Sequence, residues 1–164
     1  MARIFIAIRF DDEFKQEFVG LQNALKNRGV EGNYCPYGNL HMTLAFIGEK
    51  YDLPEIRKAV NEVAFEPFSI TLDNLGIFPT KAGVIWCGIK ELEQTTTLAD
   101  RLRDSLTAHG VLYNTQRFVP HISLVQHPSR IVTDIEVPKV SIRIERIYVM
   151  KSERINGELI YSEV

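Results

Sequence analysis

The sequence predicts an α+β fold in which a strand–helix–strand–strand unit occurs twice. The two copies form two lobes with a cleft between them, related by a pseudo-two-fold axis. Three observations carry this reading. Sliding the chain by 81 residues lays Phe5 on Trp86, Ala7 on Gly88, Ile8 on Ile89 and Arg9 on Lys90, and Gly29-Val30 on Gly110-Val111. A shift of 80 lays His41-Met42-Thr43-Leu44 on His121-Ile122-Ser123-Leu124. A shift of 72 aligns Ser69-Ile70-Thr71-Leu72-Asp73 with Ser141-Ile142-Arg143-Ile144-Glu145. Shared apolar patterning explains the strand matches but not the paired histidines, so we read a duplication, with loop insertions and deletions shifting the offset. The halves run over 1–80 and 81–164. Each is small for a core of its own at about 80 residues, which makes 1–164 one bilobal domain.

The elements follow in order. Ile4, Phe5, Ile6 and Ile8 make 3–9 a buried strand. Asp11 or Asp12 caps a helix whose apolar stripe is Phe14, Phe18, Leu21 and Leu25, and Gly29 stops it. Residues 39–48 alternate as a strand. Ile56, Val60 and Val63 mark a short helix over 54–63, which has no counterpart near 127–138. Strands are expected over 68–78 and 84–89. Leu98, Leu102 and Leu106 mark a helix ending at Gly110. Further strands are expected over 117–125 and 140–150, and Asn156-Gly157 signals a hairpin within the tail 155–162.

Composition narrows the function classes. Apolar residues make 45% and charged residues 24% of the 164, ordinary for a globular chain and against disorder or a coiled coil. Nineteen basic and twenty-one acidic residues leave a net charge of −2. Binding to a nucleic-acid duplex by bulk attraction is disfavoured, and a phosphate-bearing partner is expected to be met locally. The five-residue apolar run between Arg3 and Arg9 is too short for a signal-peptide core. No stretch approaches the ~18 apolar residues of a membrane span. A cytoplasmic protein, without membrane contact and monomeric, is the expectation, with Cys35 and Cys87 as reduced thiols.

Four histidines occur, and two of them open the pattern His-x-[Ser/Thr]-Leu. Side chains at i and i+2 of a strand share a face. His41 and Thr43 therefore point one way, and Met42, Leu44 and Phe46 the other, toward the core. His121 and Ser123 form the matching pair, with Ile122 and Leu124 inward. A two-fold axis brings two imidazoles and two hydroxyls onto one small group. One imidazole can take a proton from a nucleophile while the other delivers one to a leaving oxygen. The hydroxyls can hold charged oxygens. Opening of a phosphodiester or cyclic phosphate fits this set. Zinc is the rival use of two histidines, but no third ligand has an obvious spacing, so no metal and no cofactor is expected. His109 precedes a helix-ending glycine, where a cation suits the helix C-terminus. His127 precedes Pro128 in a loop. Both are read as structural.

At these residues the chain resembles the two-histidine (2H) phosphoesterase superfamily, most of all the RNA 2′,3′-cyclic phosphodiesterases, also called the 2′-5′ RNA ligase family. The likeness runs through Arg3-Ile4-Phe5-Ile6-Ala7-Ile8, Asn39 to Glu49, Gly76-Ile77-Phe78-Pro79, Val84-Ile85-Trp86 and Arg117 to Leu124. It implies a bilobal α+β fold with two antiparallel-rich sheets around a central cleft, and metal-independent opening of a 2′,3′-cyclic phosphate, on an RNA 3′ end or a nucleotide, to a 2′-phosphate. His121 would be the general base that activates water, and His41 the general acid that protonates the 3′ oxygen. Thr43 and Ser123 would hold phosphate oxygens. His121 must then start neutral and His41 protonated. A binding module with weak catalysis, and 2′-5′ ligation by the reverse reaction, are the alternatives.

Some positions depart from the family. Ala45, Gln126 and Gly83 stand where relatives often carry a basic residue, so fewer cations are expected to face the phosphate. Arg117 is kept, as a phosphate ligand or a surface ion pair, and Arg130 and Lys81 are possible substitutes. Tyr34 stands where relatives often have tryptophan. Phe5 and Trp86, equivalent across the repeat, either wall the cleft and stack a base or belong to the core.

Overall fold

A computed structural model describes residues 2–79 and 83–164. The strands are β1 (Arg3–Arg9), β2 (Asn33–Tyr34), β3 (His41–Gly48), β4 (Phe68–Phe78), β5 (Val84–Ile89), β6 (Ile122–Gln126), β7 (Ser141–Ile144), β8 (Tyr148–Ile155) and β9 (Glu158–Glu163). The helices are α1 (Asp12–Asn27), α2 (Leu53–Asn61) and α3 (Leu92–Ala108). The fold is α+β with two antiparallel sheets, ordered β3-β1-β8-β9 and β2-β6-β5-β4-β7.

Local signals explain most boundaries. The Asp11 side chain accepts the Phe14 N–H at 2.8 Å and caps α1, and Asp52 does the same for Glu55 at the start of α2. Asn156 and Gly157 hold φ of 52° and 83°, the paired positive values of a tight hairpin turn that joins β8 to β9. Three expectations shift. The strand expected over 117–125 begins only at Ile122, because Pro120 has no N–H to give a ladder. The strand expected over 140–150 is two strands, broken at 145–147, because β7 pairs with β4 and β8 with β1 in the other sheet. The two-residue β2, too short to leave a pattern, adds an edge to β6.

The sheets do not follow the sequence halves. β4 from the first half pairs with β5 of the second, and β8 from the second half pairs with β1 of the first. Where they cross, β4 and β7 pair antiparallel, with Ile70 opposite Ile142. Those two residues are each other's equivalents at the shift of 72, so the pseudo-two-fold axis runs between them. The helices cover the outer faces, α1 against β6, α3 against β3 and α2 against β8. One continuous apolar cluster from Ile4, Ile6 and Ile8 through Leu44, Ile70, Leu102 and Leu124 joins both sheets. A small separate cluster of Phe5, Ala7 and Met150 lies on the other face of the first sheet, toward the cleft.

His109 is the C-cap of α3 and ties that helix to α2. Its Nδ1 lies 3.1 Å from Glu55 Oε2 and its Nε2 2.7 Å from Glu62 Oε2. The carboxylates, Glu62 foremost, raise its pKa above the ordinary value. The clamp's stabilisation is therefore full below a pH near 6.5 and disappears as pH rises through the raised value. His109→Ala is expected to lower Tm more at pH 6 than at pH 9 in thermal unfolding. An equal loss at both pH values would show that the clamp works by packing alone.

Candidate active site

Strand alternation places His41 and Thr43 on the inner face of β3. Ser123 lies on the inner face of β6, opposite Trp86 of β5, and His121 just precedes that strand. All four line one cavity of about 300 Å³, together with Phe5, Tyr34, Asn39, Gln126 and Tyr161. The motif strands share a further feature. Thr43 pairs with Ala7 but Ala45 pairs with the next residue, Ile6, so β3 bulges at Leu44. Likewise Ser123 pairs with Trp86 and Val125 with Ile85, so β6 bulges at Leu124. The bulges are equivalent under the shift of 80.

That bulge overturns one expectation about facing. Phe46 does not go to the core: it lines the cavity and is 38% exposed, while Ala45 turns inward and is 1% exposed. A basic side chain at position 45 of this backbone would enter the core rather than face a phosphate. Gln126, the equivalent of Phe46, does stand at the cavity. Gly83 has a φ of 75°, which disfavours any side chain there.

Each imidazole is held the same way. His41 Nδ1 lies 2.6 Å from the Asn39 carbonyl and His121 Nδ1 2.7 Å from the Val119 carbonyl, in both cases two residues back. A carbonyl only accepts, so Nδ1 carries a proton and Nε2 is left for chemistry. His41 Nε2 meets Thr43 Oγ1 at 2.6 Å, the hydroxyl donating while the imidazole is neutral. Aromatic rings back each one. Phe5 and Tyr161 lie 5.0 and 5.2 Å from the His41 ring, and Phe78 and Trp86 lie 4.7 and 6.2 Å from the His121 ring. The indole lies across Gly76, where a Cβ would stand 2.4 Å from two ring carbons.

A profile of the 2′-5′ RNA ligase superfamily matches residues 23–156. The chain belongs to the 2′-5′ RNA ligase superfamily. It is 28% identical over 163 residues to a Thermotoga maritima protein named RNA 2′,3′-cyclic phosphodiesterase, covering 92% of this chain and 86% of that one. It is 31% identical over 136 residues to a protein of the same name from Escherichia coli K12, covering 80% and 75%. Among solved structures, E. coli LigT in its apo form superposes with a TM-score of 0.82 at 27% identity, over 99% of this chain and 94% of that one.

Other positions resolve differently in this superfamily member. Phe5, 3% exposed, turns its ring to His41 and Tyr161 rather than offering a free face for a base. Tyr34 lines the cavity, but its hydroxyl donates to Val30 O at 2.7 Å and the Lys26 ammonium sits 4.7 Å from its ring centroid. Arg117 and Arg130 do not line the cavity. Arg117 is exposed on the segment before His121, and Arg130 donates at 3.1 Å to the carbonyl of Arg28, the C-cap of α1. Lys81 lies outside the described residues.

Tyr161, Asn39 and Cys35 are among the cavity residues that the sequence did not mark as site candidates. Tyr161 arrives from β9, 120 positions after His41, with no spacing signal. Asn39 is buried and donates to Leu159 O at 2.9 Å, pinning the carbonyl that holds His41. Cys35 lines the wall with its thiol pushed by burial to about 11, too high for a thiolate nucleophile. Cys35 and Cys87 are unpaired. Among the described residues, no three His, Cys, Asp or Glu side chains stand together as a metal-ligand set. No described helix is long and apolar enough to cross a membrane.

Burial sets the charge of the site. Desolvation foremost, helped by the His121 charge and Lys15 and opposed by the Asn39 carbonyl, brings the His41 pKa down to about 4. Desolvation also lowers that of His121. The free site near neutral pH therefore holds two neutral imidazoles, contrary to the expectation that His41 waits protonated. A neutral folded form means stability is lost as pH falls from about 6.5 toward 4, by on the order of 3 kcal/mol for His41. Imidazole NMR is expected to show His41 titrating near 4 in the free protein, with the midpoint moving up on adding a nucleoside 2′-phosphate. A free-state midpoint at the ordinary 6.5 would contradict the burial argument.

Proposed function

We propose that this protein opens the 2′,3′-cyclic phosphate of an RNA 3′ end or a nucleotide to a 2′-phosphate, with its two imidazoles as the proton carriers. The observation that supports this reading most is the pair of buried imidazoles on one cavity, each with Nδ1 tied to a carbonyl two residues back. The relatives named RNA 2′,3′-cyclic phosphodiesterase in T. maritima and E. coli support the substrate class. E. coli LigT, at 23% identity, is known in complex with 3′-AMP.

The cyclic phosphate brings a negative charge into a cavity that disfavours imidazolium. That charge offsets the desolvation of His41 and raises its pKa, so His41 gains its proton on substrate binding. Thr43 and Ser123 hydroxyls donate to the non-bridging oxygens, and in doing so Thr43 releases His41 Nε2. His121 Nε2 takes a proton from water, and the water oxygen attacks phosphorus. The bond from phosphorus to the 3′ oxygen breaks, and that oxygen leaves with the His41 proton. An RNA 5′-hydroxyl in the water's place would give ligation, but ~55 M water favours hydrolysis.

The product is expected to carry its phosphate on the 2′ oxygen, read by chromatography against 2′- and 3′-phosphate standards, and the rate is expected to survive EDTA. A dominant 3′ product rejects the orientation, and loss with EDTA restored by zinc rejects two-imidazole chemistry.

His41→Ala and His121→Ala are each expected to lower kcat by ~10²–10⁴-fold. The double variant should lose far less than the product of the two, since one relay is broken once. Thr43→Ala and Ser123→Ala should lose less than either histidine. His109→Ala and His127→Ala should turn over near the wild-type rate. The kcat profile is expected to be a bell whose alkaline limb lies well above the free-state value of about 4 for His41. Normal turnover in both motif variants, or an alkaline limb near 4, would defeat the relay.

A further inference from the structure

The cleft face of the first sheet carries a second group of side chains that the relay does not use. Arg9 sits opposite His41 in the β1–β3 register, and on the other side of β1 Tyr148 sits opposite Ala7. Alternation puts Phe5, Ala7 and Arg9 on the face that carries His41 and Thr43. The Arg9 guanidinium carbon lies 5.3 Å from the Tyr148 ring centroid, and that of Arg146 lies 4.4 Å from the same ring. Glu163, near the end of β9, reaches both, at 3.4 Å to Arg9 and 3.5 Å to Arg146. The side chains of Arg9, Arg146 and Glu163 are 45%, 66% and 42% exposed. Tyr148 packs on the Phe5, Ala7 and Met150 cluster, and Phe5 in turn contacts His41.

Two guanidinium groups share one ring and one carboxylate, so the group keeps a net positive charge on a chain whose total is −2. An exposed ion pair contributes little to stability, and one arginine would suffice to neutralise Glu163. Planar guanidinium groups match phosphate oxygens two at a time. An aromatic ring interleaved with cations is the surface on which single-stranded nucleic acid lies.

We propose that Arg9, Arg146 and Tyr148 bind the phosphodiester backbone of the RNA chain on the 5′ side of the reacting end. The inference rests on the proposed function, in which His41 protonates the ribose 3′ oxygen. That role stands the terminal ribose beside His41. The chain attached to its 5′ carbon then continues over the neighbouring strand, about 4.8 Å across the sheet, where Arg9 projects. The cavity selects the cyclic phosphate, and this group selects a polynucleotide over a free cyclic nucleotide. Glu163 competes with the RNA phosphates for both arginines and limits affinity.

The test compares wild type with Arg9→Gln, Arg146→Gln, their double variant and Glu163→Gln. Arg143→Gln, on β7 and paired with Glu145 at 3.1 Å, is the control. Two substrates are used: uridine 2′,3′-cyclic phosphate and an RNA hexamer ending in a 2′,3′-cyclic phosphate. Binding of a fluorescent hexamer with a 2′-phosphate end is followed by anisotropy, which needs no turnover. The double variant is expected to lower the hexamer-to-mononucleotide ratio of kcat/KM by ~10–100-fold, mainly through the hexamer KM, and to flatten the salt dependence of hexamer binding by about one to two counterions. Glu163→Gln is expected to tighten hexamer binding, and Arg143→Gln to leave the ratio at the wild-type value. An unchanged ratio in the double variant, weaker hexamer binding by Glu163→Gln, or no hexamer binding by wild type would overturn the proposal. If wild type opens neither substrate, the catalytic reading fails, while hexamer binding and its loss in the double variant still decide for or against this surface.

Discussion

The antiparallel pairing of β4 with β7 is the contact on which the arrangement turns. It sets Ile70 against Ile142, two equivalent residues of a duplicated unit, and so fixes the two-fold axis between them. The first half sends β4 across that axis to pair with β5, and the second half sends β8 to pair with β1. Neither sheet can form from one half alone, and the apolar cores of the two sheets merge into one cluster. The same operation that swaps β4 and β8 turns the inner faces of β3 and β6 toward a common cavity. A duplication placed side by side, without the exchange, would leave two separate imidazole faces.

Within that cavity the governing quantity is desolvation. Two imidazoles in a buried site disfavour charge on themselves and on each other, so the free protein keeps both neutral. The backbone carbonyls of Asn39 and Val119 make the two tautomers alike. In the proposed reaction, the difference between an acid and a base then comes from the substrate, whose charge and geometry select which imidazole is protonated. Thr43 contributes to that asymmetry: its hydroxyl engages His41 Nε2 at 2.6 Å in the free site.

The bulges at Leu44 and Leu124 refine how the repeat presents its residues. One extra residue in each motif strand moves the following position inward, so Ala45 and Val125 are buried, and the next position out to the cavity, occupied by Phe46 and Gln126. The absence of a basic side chain at 45 therefore does not remove a cation from the phosphate. Beside the motif strand β3, Arg9 stands on the neighbouring β1, and Arg146 reaches the same Tyr148 ring from the segment just before β8.

The repeat, the helices, the hairpin at Asn156-Gly157 and the four motif side chains were legible in the sequence. Each depends on local rules: period 2 or 3.6, a capping carboxylate, a left-handed turn, a histidine two residues from a hydroxyl. Those rules act over a few residues, and a duplication makes them visible twice. The strand exchange, the break at 145–147, the bulges, the contacts of Tyr161 and Arg130 and the charge state of His41 were decided only in the folded chain. Hydrogen-bond register between distant strands, the dielectric around a buried ring and the side of a sheet reached by β9 depend on which segments meet, from Ala7 against Thr43 to Tyr161 against His41. Local periodicity carries no record of those meetings: it fixes which face a residue takes on its own strand, and tertiary pairing decides what stands opposite.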